Sequence, residues 1–281
     1  MLCAVRAQLY RMFRGRAIRV LLAVIFVPTA CSAVLSAVVL GSEGLTAFLS
    51  STSSDLSRVA EAAAGRTPVL SLYGSSFVNG SFVAMVACGY TAAHAAREVG
   101  GGKRGCCAKN LLQSPGGRVS YVLAHVAAAA VAGAVFVAAG VASTALCYGL
   151  AGFPVVPESA AQAALWVLEV WAVVFAYQLL TLAVTFASRN EAASVVFGLF
   201  LGGFAVGKGF AMLVGALVAA FGPVPVLAGA WDFLERGSLM AHLQTLGHGE
   251  ACGPEALVVA GVTLFAASAL AVLVMRRKNV E

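Results

Sequence analysis

Six stretches of the chain run almost continuously through apolar residues: roughly 18–41, 72–96, 119–149, 162–188, 192–221 and 255–275. About 20 apolar residues in helical form cross the hydrocarbon core of a bilayer, and each stretch is long enough. Backbone N–H and C=O groups in lipid must be satisfied within their own segment, so the six stretches are predicted to be helices. The second opens with polar Ser75, Ser76 and Asn79, but Phe77 and the run from Phe82 to Tyr90 sustain its apolar character. Residues 1–17 have a different pattern. Leu2, Val5, Leu9 and Phe13 recur at three- and four-residue spacing, with Arg6, Arg11 and Arg14 between them. That is the pattern of an amphipathic helix lying in the membrane interface, the alternative being a basic flank that only sets topology. A basic start before an apolar run is also the order of a signal peptide. Here the basic stretch is long and Ala17 to Leu40 suffices to span, so the segment reads as a retained first helix.

Composition excludes a soluble fold. The chain is 60% hydrophobic and only 11% charged, against roughly 45–50% apolar and about 25% charged residues in soluble domains. The net charge of +6 carries its meaning in its distribution. Arg6, Arg11, Arg14, Arg16 and Arg19 precede the first span; Arg97, Lys103, Arg104, Lys109 and Arg118 follow the second. Arg189 lies after the fourth, and Arg276, Arg277 and Lys278 after the sixth. These fourteen fall on one side; Arg58, Arg66 and Arg236 fall on the other, and Lys208 is inside a span. The excess of Lys and Arg marks the cytoplasmic side. The predicted architecture is therefore all-α: one polytopic transmembrane domain over 1–281, six spans, N-in and C-in, preceded by the interfacial helix. Residues 97–118 form a cytoplasmic loop. The loop 42–71 holds a short helix around 55–64. The outer loop 222–254, with Pro223, Pro225, Trp231, Phe233, Leu239, Met240 and Leu243, is too apolar for a free loop and too interrupted for a span, and is predicted to hold short helices. The turn Ser188–Glu191, with Asn190 as N-cap of the fifth span, makes the fourth and fifth spans antiparallel neighbours.

Candidate chemistry is sparse. The seven cysteines, Cys3, Cys31, Cys88, Cys106, Cys107, Cys147 and Cys252, form no C-x-x-C pair, and no His stands at ligand spacing, so no metal site is expected. Cys147 and Cys252 both fall on the outer side, where a disulfide and two free thiols are the competing readings. His94 and His125 read as satisfied polar residues, and no Ser or Asp constellation suggests a membrane hydrolase, so no catalytic residue is assigned. Glu169 and Lys208 lie within spans, where charge is costly and faces the protein interior. Helical rise puts them at comparable depth, so they are candidates to line a translocation path or to pair, the alternative being that each snorkels to the interface. Gly198 and Gly202, and Gly203 and Gly207, make two G-x-x-x-G pairs suited to close helix packing, within the chain or at a dimer seam. The loop 97–118 contains Gly100, Gly101 and Gly102 but lacks G-x-x-x-x-G-K-[ST] and a preceding strand, so no nucleotide site is read there.

That loop carries a resemblance. In order it presents Glu98, Lys109, Asn110, Leu112, Pro115 and Arg118. This resembles the loop between the second and third helices of ABC-2 type transporter permeases: an acidic residue, Gly-Thr, Lys/Arg-Asn-x-Leu, Pro, then Arg. Cys106-Cys107 stands where the family has Gly-Thr, and the spacing from Glu98 is slightly long. Six spans, a basic amphipathic start and the tail from Met275 to Asn279 are similar in layout, and among these permeases the chain resembles those of bacitracin and lantibiotic self-protection exporters. The resemblance implies a permease subunit in the bacterial plasma membrane that pairs with a second copy or a paralogous permease. It implies contact with a separate ATPase through loop 97–118, with ATP and Mg held by that ATPase and no cofactor or bond chemistry in this chain. No nucleic-acid partner is expected. The span interiors are poor in charge, which favours an amphipathic, peptide-like or lipid-like cargo. The competing classes are a secondary transporter or channel without an ATPase, and a membrane-embedded enzyme.

Overall fold

The computed structural model describes residues 2–40, 67–68, 73, 81–99, 116–153, 155–156, 159–221 and 225–277. Of the predicted second span only Tyr73 and residues 81–96 are described. Lys109, Asn110, Leu112 and Pro115, and the helix expected around 55–64, lie outside the described residues. The helices are α1 (Leu2–Arg14), α2 (Arg16–Leu40), α3 (Ser81–Val99), α4 (Gly117–Leu150), α5 (Ala160–Ser188), α6 (Glu191–Gly202), α7 (Ala205–Phe221), α8 (Pro225–Asp232), α9 (Leu239–Gly247) and α10 (Pro254–Arg277). One parallel pairing, Thr67 with Val155 and Pro68 with Val156, is the exception to an all-helical architecture among the described residues. The segment expected to hold short helices contains α8 and α9, joined by a π-helical turn, Phe233–Gly237.

Four helices are long and apolar enough alone to cross a membrane: α2 over Arg16–Val38, α4, α5 and α10. The bent pair α6 and α7 adds a fifth candidate. The outer faces of α2 and α10 show why lipid is their environment. Val27, Val34, Leu35 and Val38 on α2 and Val258, Val262 and Phe265 on α10 are all largely exposed. The inner face of α10 is a stripe of small residues, Ala256, Ala260, Ala267 and Ala271, closed by Met275. Small side chains let it lie close against α5.

At the centre, α3 packs against α4, α5 and α6. Val83, Ala84, Val86, Ala87, Cys88, Ala92, Ala95 and Ala96 are buried. A helix surrounded by protein rather than lipid tolerates Ser81, Thr91 and His94 if they find partners, which explains why α3 is less apolar than its neighbours. Thr91 Oγ1 bonds the Ala87 carbonyl at 2.9 Å and accepts from Gln178 Nε2 of α5 at 3.0 Å. A second tie, from Trp171 Nε1 to the Ala130 carbonyl at 2.9 Å, joins α5 to α4.

The continuous helix expected over 192–221 is broken. α6 ends at Gly202, α7 begins at Ala205, and the two are bent by 66°. Phe204 takes φ 64°, a left-handed conformation that costs an aromatic residue about 1–2 kcal/mol. Its ring is buried, which offsets the cost. The turn before α6 matches the sequence expectation: the Asn190 side chain accepts from Ala193 N at 3.2 Å, and Arg189 closes α5 in a left-handed conformation.

Candidate functional site

Three of the described arginines tie helix ends together at one end of the bundle. Arg11 on α1 meets Glu98 on α3, Arg97 on α3 meets Glu191 at the start of α6, and Arg118 at the start of α4 reaches the end of α10. Arg118 Nη1 donates to the carbonyls of Arg276 at 2.9 Å and Met275 at 3.4 Å. A guanidinium at these last carbonyls satisfies unpaired acceptors and complements the helix dipole.

Glu98 is the hub of this end. Arg11 Nη1 donates to its Oε1 at 2.7 Å, and Gln8 Nε2 to its Oε2 at 2.6 Å. Tyr121 OH of α4 donates to Oε2 at 3.4 Å, and His125 Nε2 lies 3.4 Å from the same oxygen. Gln8 completes a relay: its amide nitrogen serves Glu98, so its Oε1 accepts from His94 Nε2 at 3.0 Å. His125 Nδ1 donates to the Tyr121 carbonyl at 3.0 Å, turning Nε2 toward Glu98. One carboxylate thus ties α1 and α3 to α4, directly beside the segment 100–115. Burial alone would push the Glu98 carboxyl up; the neighbouring His125 and the bonds from Gln8 and Arg11 outweigh it and hold it down at about 2. Between the two histidines, Tyr90, Thr91 and Leu182 help enclose a cavity of about 10 Å³, the size of a single water.

On α1, Gln8 and Met12 are buried against the bundle, whereas Tyr10 and Phe13 are exposed. The face of α1 that meets the bundle combines Gln8 and Arg11, both held by Glu98, with apolar Met12. Among the hub residues, Glu98 is the one the sequence singles out for coupling. Gln8, Arg11, Tyr121 and His125 join it across 23 to 90 positions, and His94, one turn earlier on α3, joins through Gln8; the one local signal was an acid isolated among arginines.

Glu169 and Lys208 do not meet. The Glu169 side chain is fully buried, about 25 Å along α5 from Phe186 at the hub end. Its Oε2 accepts from Cys252 N at 2.8 Å, and its Oε1 has no partner. One turn earlier, Trp166 Nε1 donates to the Leu246 carbonyl at 2.9 Å. Two side chains of one α5 face thus hold both flanks of the turn between α9 and α10. Lys208, just beyond the α6–α7 bend, is exposed. The break in the helix removes the continuous rise on which their pairing was argued. We expect Lys208→Met to change stability by less than about 0.5 kcal/mol and Glu169→Leu to cost about 1–3 kcal/mol. Unfolding in detergent micelles checks both, and a charge-swapped double variant should not recover the Glu169 loss.

Cys147 and Cys252 are both free thiols. Cys147 packs with Ala33 and Tyr148 between α2 and α4, whereas Cys252 Sγ contacts the His242 carbonyl at 3.6 Å. Burial pushes the Cys252 thiol up to about 11, and the nearby Glu169 charge adds to the shift. Burial also lowers His242, against the pull of Glu255 and Glu169.

Gly198 and Gly202 seat α6 on α3. A β-carbon on Gly198 would stand 2.9 Å from Thr181 Cγ2 and 3.1 Å from the Cys88 carbonyl oxygen. At Gly202 it would stand 2.6 Å from Met85 Cα and 2.7 Å from the Ala84 carbonyl oxygen. Gly203 instead closes the helix, and a β-carbon on Gly207, beyond the bend, would stand 2.8 Å from Met240 Sδ. The second G-x-x-x-G therefore spans a break rather than one helical face.

Residues 103–205 match the family described as ABC-2 family transporter protein. The match runs from the segment before α4 through α4, α5 and α6, the helices that surround α3. No curated protein matches the chain.

Proposed function

We propose that this chain is the membrane-spanning permease subunit of an ATP-driven ABC exporter, working with a separate ATPase. The observation that carries the reading is the match of residues 103–205 to the ABC-2 transporter family. The hub geometry supports it: Glu98 fastens α1, α3 and α4 at the root of loop 97–118, so a push on that loop reaches three helices at once. Lys109, Asn110, Leu112 and Pro115 are the proposed ATPase contacts, with Glu98 and Arg118 at the loop's two ends.

The proposed topology has six spans, α2, α3, α4, α5, the bent pair α6–α7, and α10, with both termini in the cytoplasm. The clustering of arginines at the hub end supports that orientation. The assembly pairs this chain with a second permease copy or a paralogue in a bacterial plasma membrane. Its cargo is amphipathic, peptide-like or lipid-like, in keeping with the resemblance to antimicrobial-peptide self-protection exporters. Glu169 and Lys208 are proposed to border the cargo path at separate points.

Co-purification from the native membrane into nanodiscs tests the reading. The expected result is retention of an ATPase subunit whose ATP hydrolysis rises with cargo. A chain that transports with no ATPase bound would instead support a secondary transporter or channel.

A further inference from the structure

Helix α1 presents to its surroundings a face that the hub does not use. Two parallel stripes run along it at four-residue spacing. One is apolar: Val5, Leu9 and Phe13. The other alternates cation, ring and cation: Arg6, Tyr10 and Arg14. Among the described residues these six form one open strip of surface along the helix. Tyr10 and Phe13 are 59% and 53% exposed. Arg14 Nη1 donates to Tyr10 OH, and its guanidinium carbon stands 5.5 Å from the Tyr10 ring centroid.

Among the described residues the charge on α1 and α2 is one-sided. No acidic residue precedes Glu43 in the chain. Glu98, which contacts α1, does so through Gln8 and Arg11 on the opposite face. An apolar stripe beside a row of guanidinium groups calls for a ligand with a hydrocarbon part and an anionic head. Arg recognises phosphate oxygens through its planar fork of donors. An aromatic ring between polar head and apolar tail is the usual occupant of the lipid interface.

The geometry points to an anionic phospholipid site on α1: acyl chain along Val5, Leu9 and Phe13, phosphate between Arg6 and Arg14, and Tyr10 at the level of the glycerol. The site rests on the membrane location of the chain but not on the identity of its ATPase or cargo. Because α1 holds Glu98 from its other face, the lipid braces the helix that anchors the hub.

The test uses the full chain in nanodiscs of phosphatidylcholine with added phosphatidylglycerol. The chain is extracted into detergent, and the phospholipid it retains is measured by native mass spectrometry. Wild type is expected to retain phosphatidylglycerol over phosphatidylcholine. Arg6→Gln with Arg14→Gln should weaken retention at least about tenfold, as each removes a charge-assisted hydrogen bond to the phosphate. Arg16→Gln with Arg19→Gln, which removes the same charge on α2, should change it no more than about threefold. Equal loss in the two double variants would mean diffuse surface attraction and overturn the site. Undiminished retention in Arg6→Gln with Arg14→Gln would overturn it as well. Neither result depends on whether an ATPase co-purifies.

Discussion

Glu98→Ala should lower the stability of the folded chain by about 3 kcal/mol and uncouple any ATP-driven transport. The substitution leaves Arg11, Gln8 and Tyr121 without their shared acceptor and His125 facing empty space. Breaking a buried pair by removing one partner costs about 3–5 kcal/mol. The lower end applies because Arg11 is 46% exposed and recovers water. Arg97→Ala is the matched control. It breaks an ion pair whose partners, Arg97 and Glu191, are 59% and 49% exposed, and such surface pairs contribute about 0–1 kcal/mol. Thermal unfolding in detergent separates the two, and a cost for Arg97→Ala equal to that for Glu98→Ala would contradict the hub. The pH dependence has the same origin. Glu98 is held at about 2 from an ordinary value of 4.5, so its contribution is present above about pH 4.5 and is lost as pH falls toward 2. Glu98→Ala should flatten that acid limb.

Gly202→Leu is expected to be the most damaging single substitution in the membrane region. Even the first carbon would approach the Met85 and Ala84 backbone to 2.6–2.7 Å, and hydrogen-bonded helix backbone packed on its other faces cannot readily step aside. Overpacking against movable side chains costs about 1–3 kcal/mol; against backbone, Gly202→Ala should reach at least about 3 kcal/mol, and Gly202→Leu should abolish folding. Gly209, only seven residues on and beyond the bend, has nothing within 4 Å of its added carbon. Gly209→Ala should therefore be neutral or slightly stabilising, since alanine is the better helix former by about 1 kcal/mol. Yield of monodisperse protein and its melting temperature read both outcomes.

The parts of the architecture legible in the sequence are those set by local physics. The long apolar runs give α2, α4, α5 and α10, and Asn190 marks the start of α6 through its own side chain. Glu98 and Arg118 stand out because charge bounding apolar runs is conspicuous. What stayed hidden depends on contacts between distant positions. The bend at Phe204 lies between two equally apolar halves, so hydropathy carries no trace of it. The face that α1 turns inward carries Arg11, whose acceptor Glu98 lies 87 positions away. Glu169 and Lys208 looked equal in depth only for an unbroken helix. Instead Glu169 holds the backbone at Cys252, a partner reached across 83 positions.

The most direct test of the account is a site-specific cross-link from the loop that follows Glu98 in the chain. A photoreactive side chain placed at Leu112 of the otherwise native chain, activated in intact membranes, should form one adduct with the ATPase subunit, and nucleotide should change its yield. Adducts formed only with lipid or with periplasmic proteins would put the loop on the wrong side of the membrane and contradict the proposed coupling.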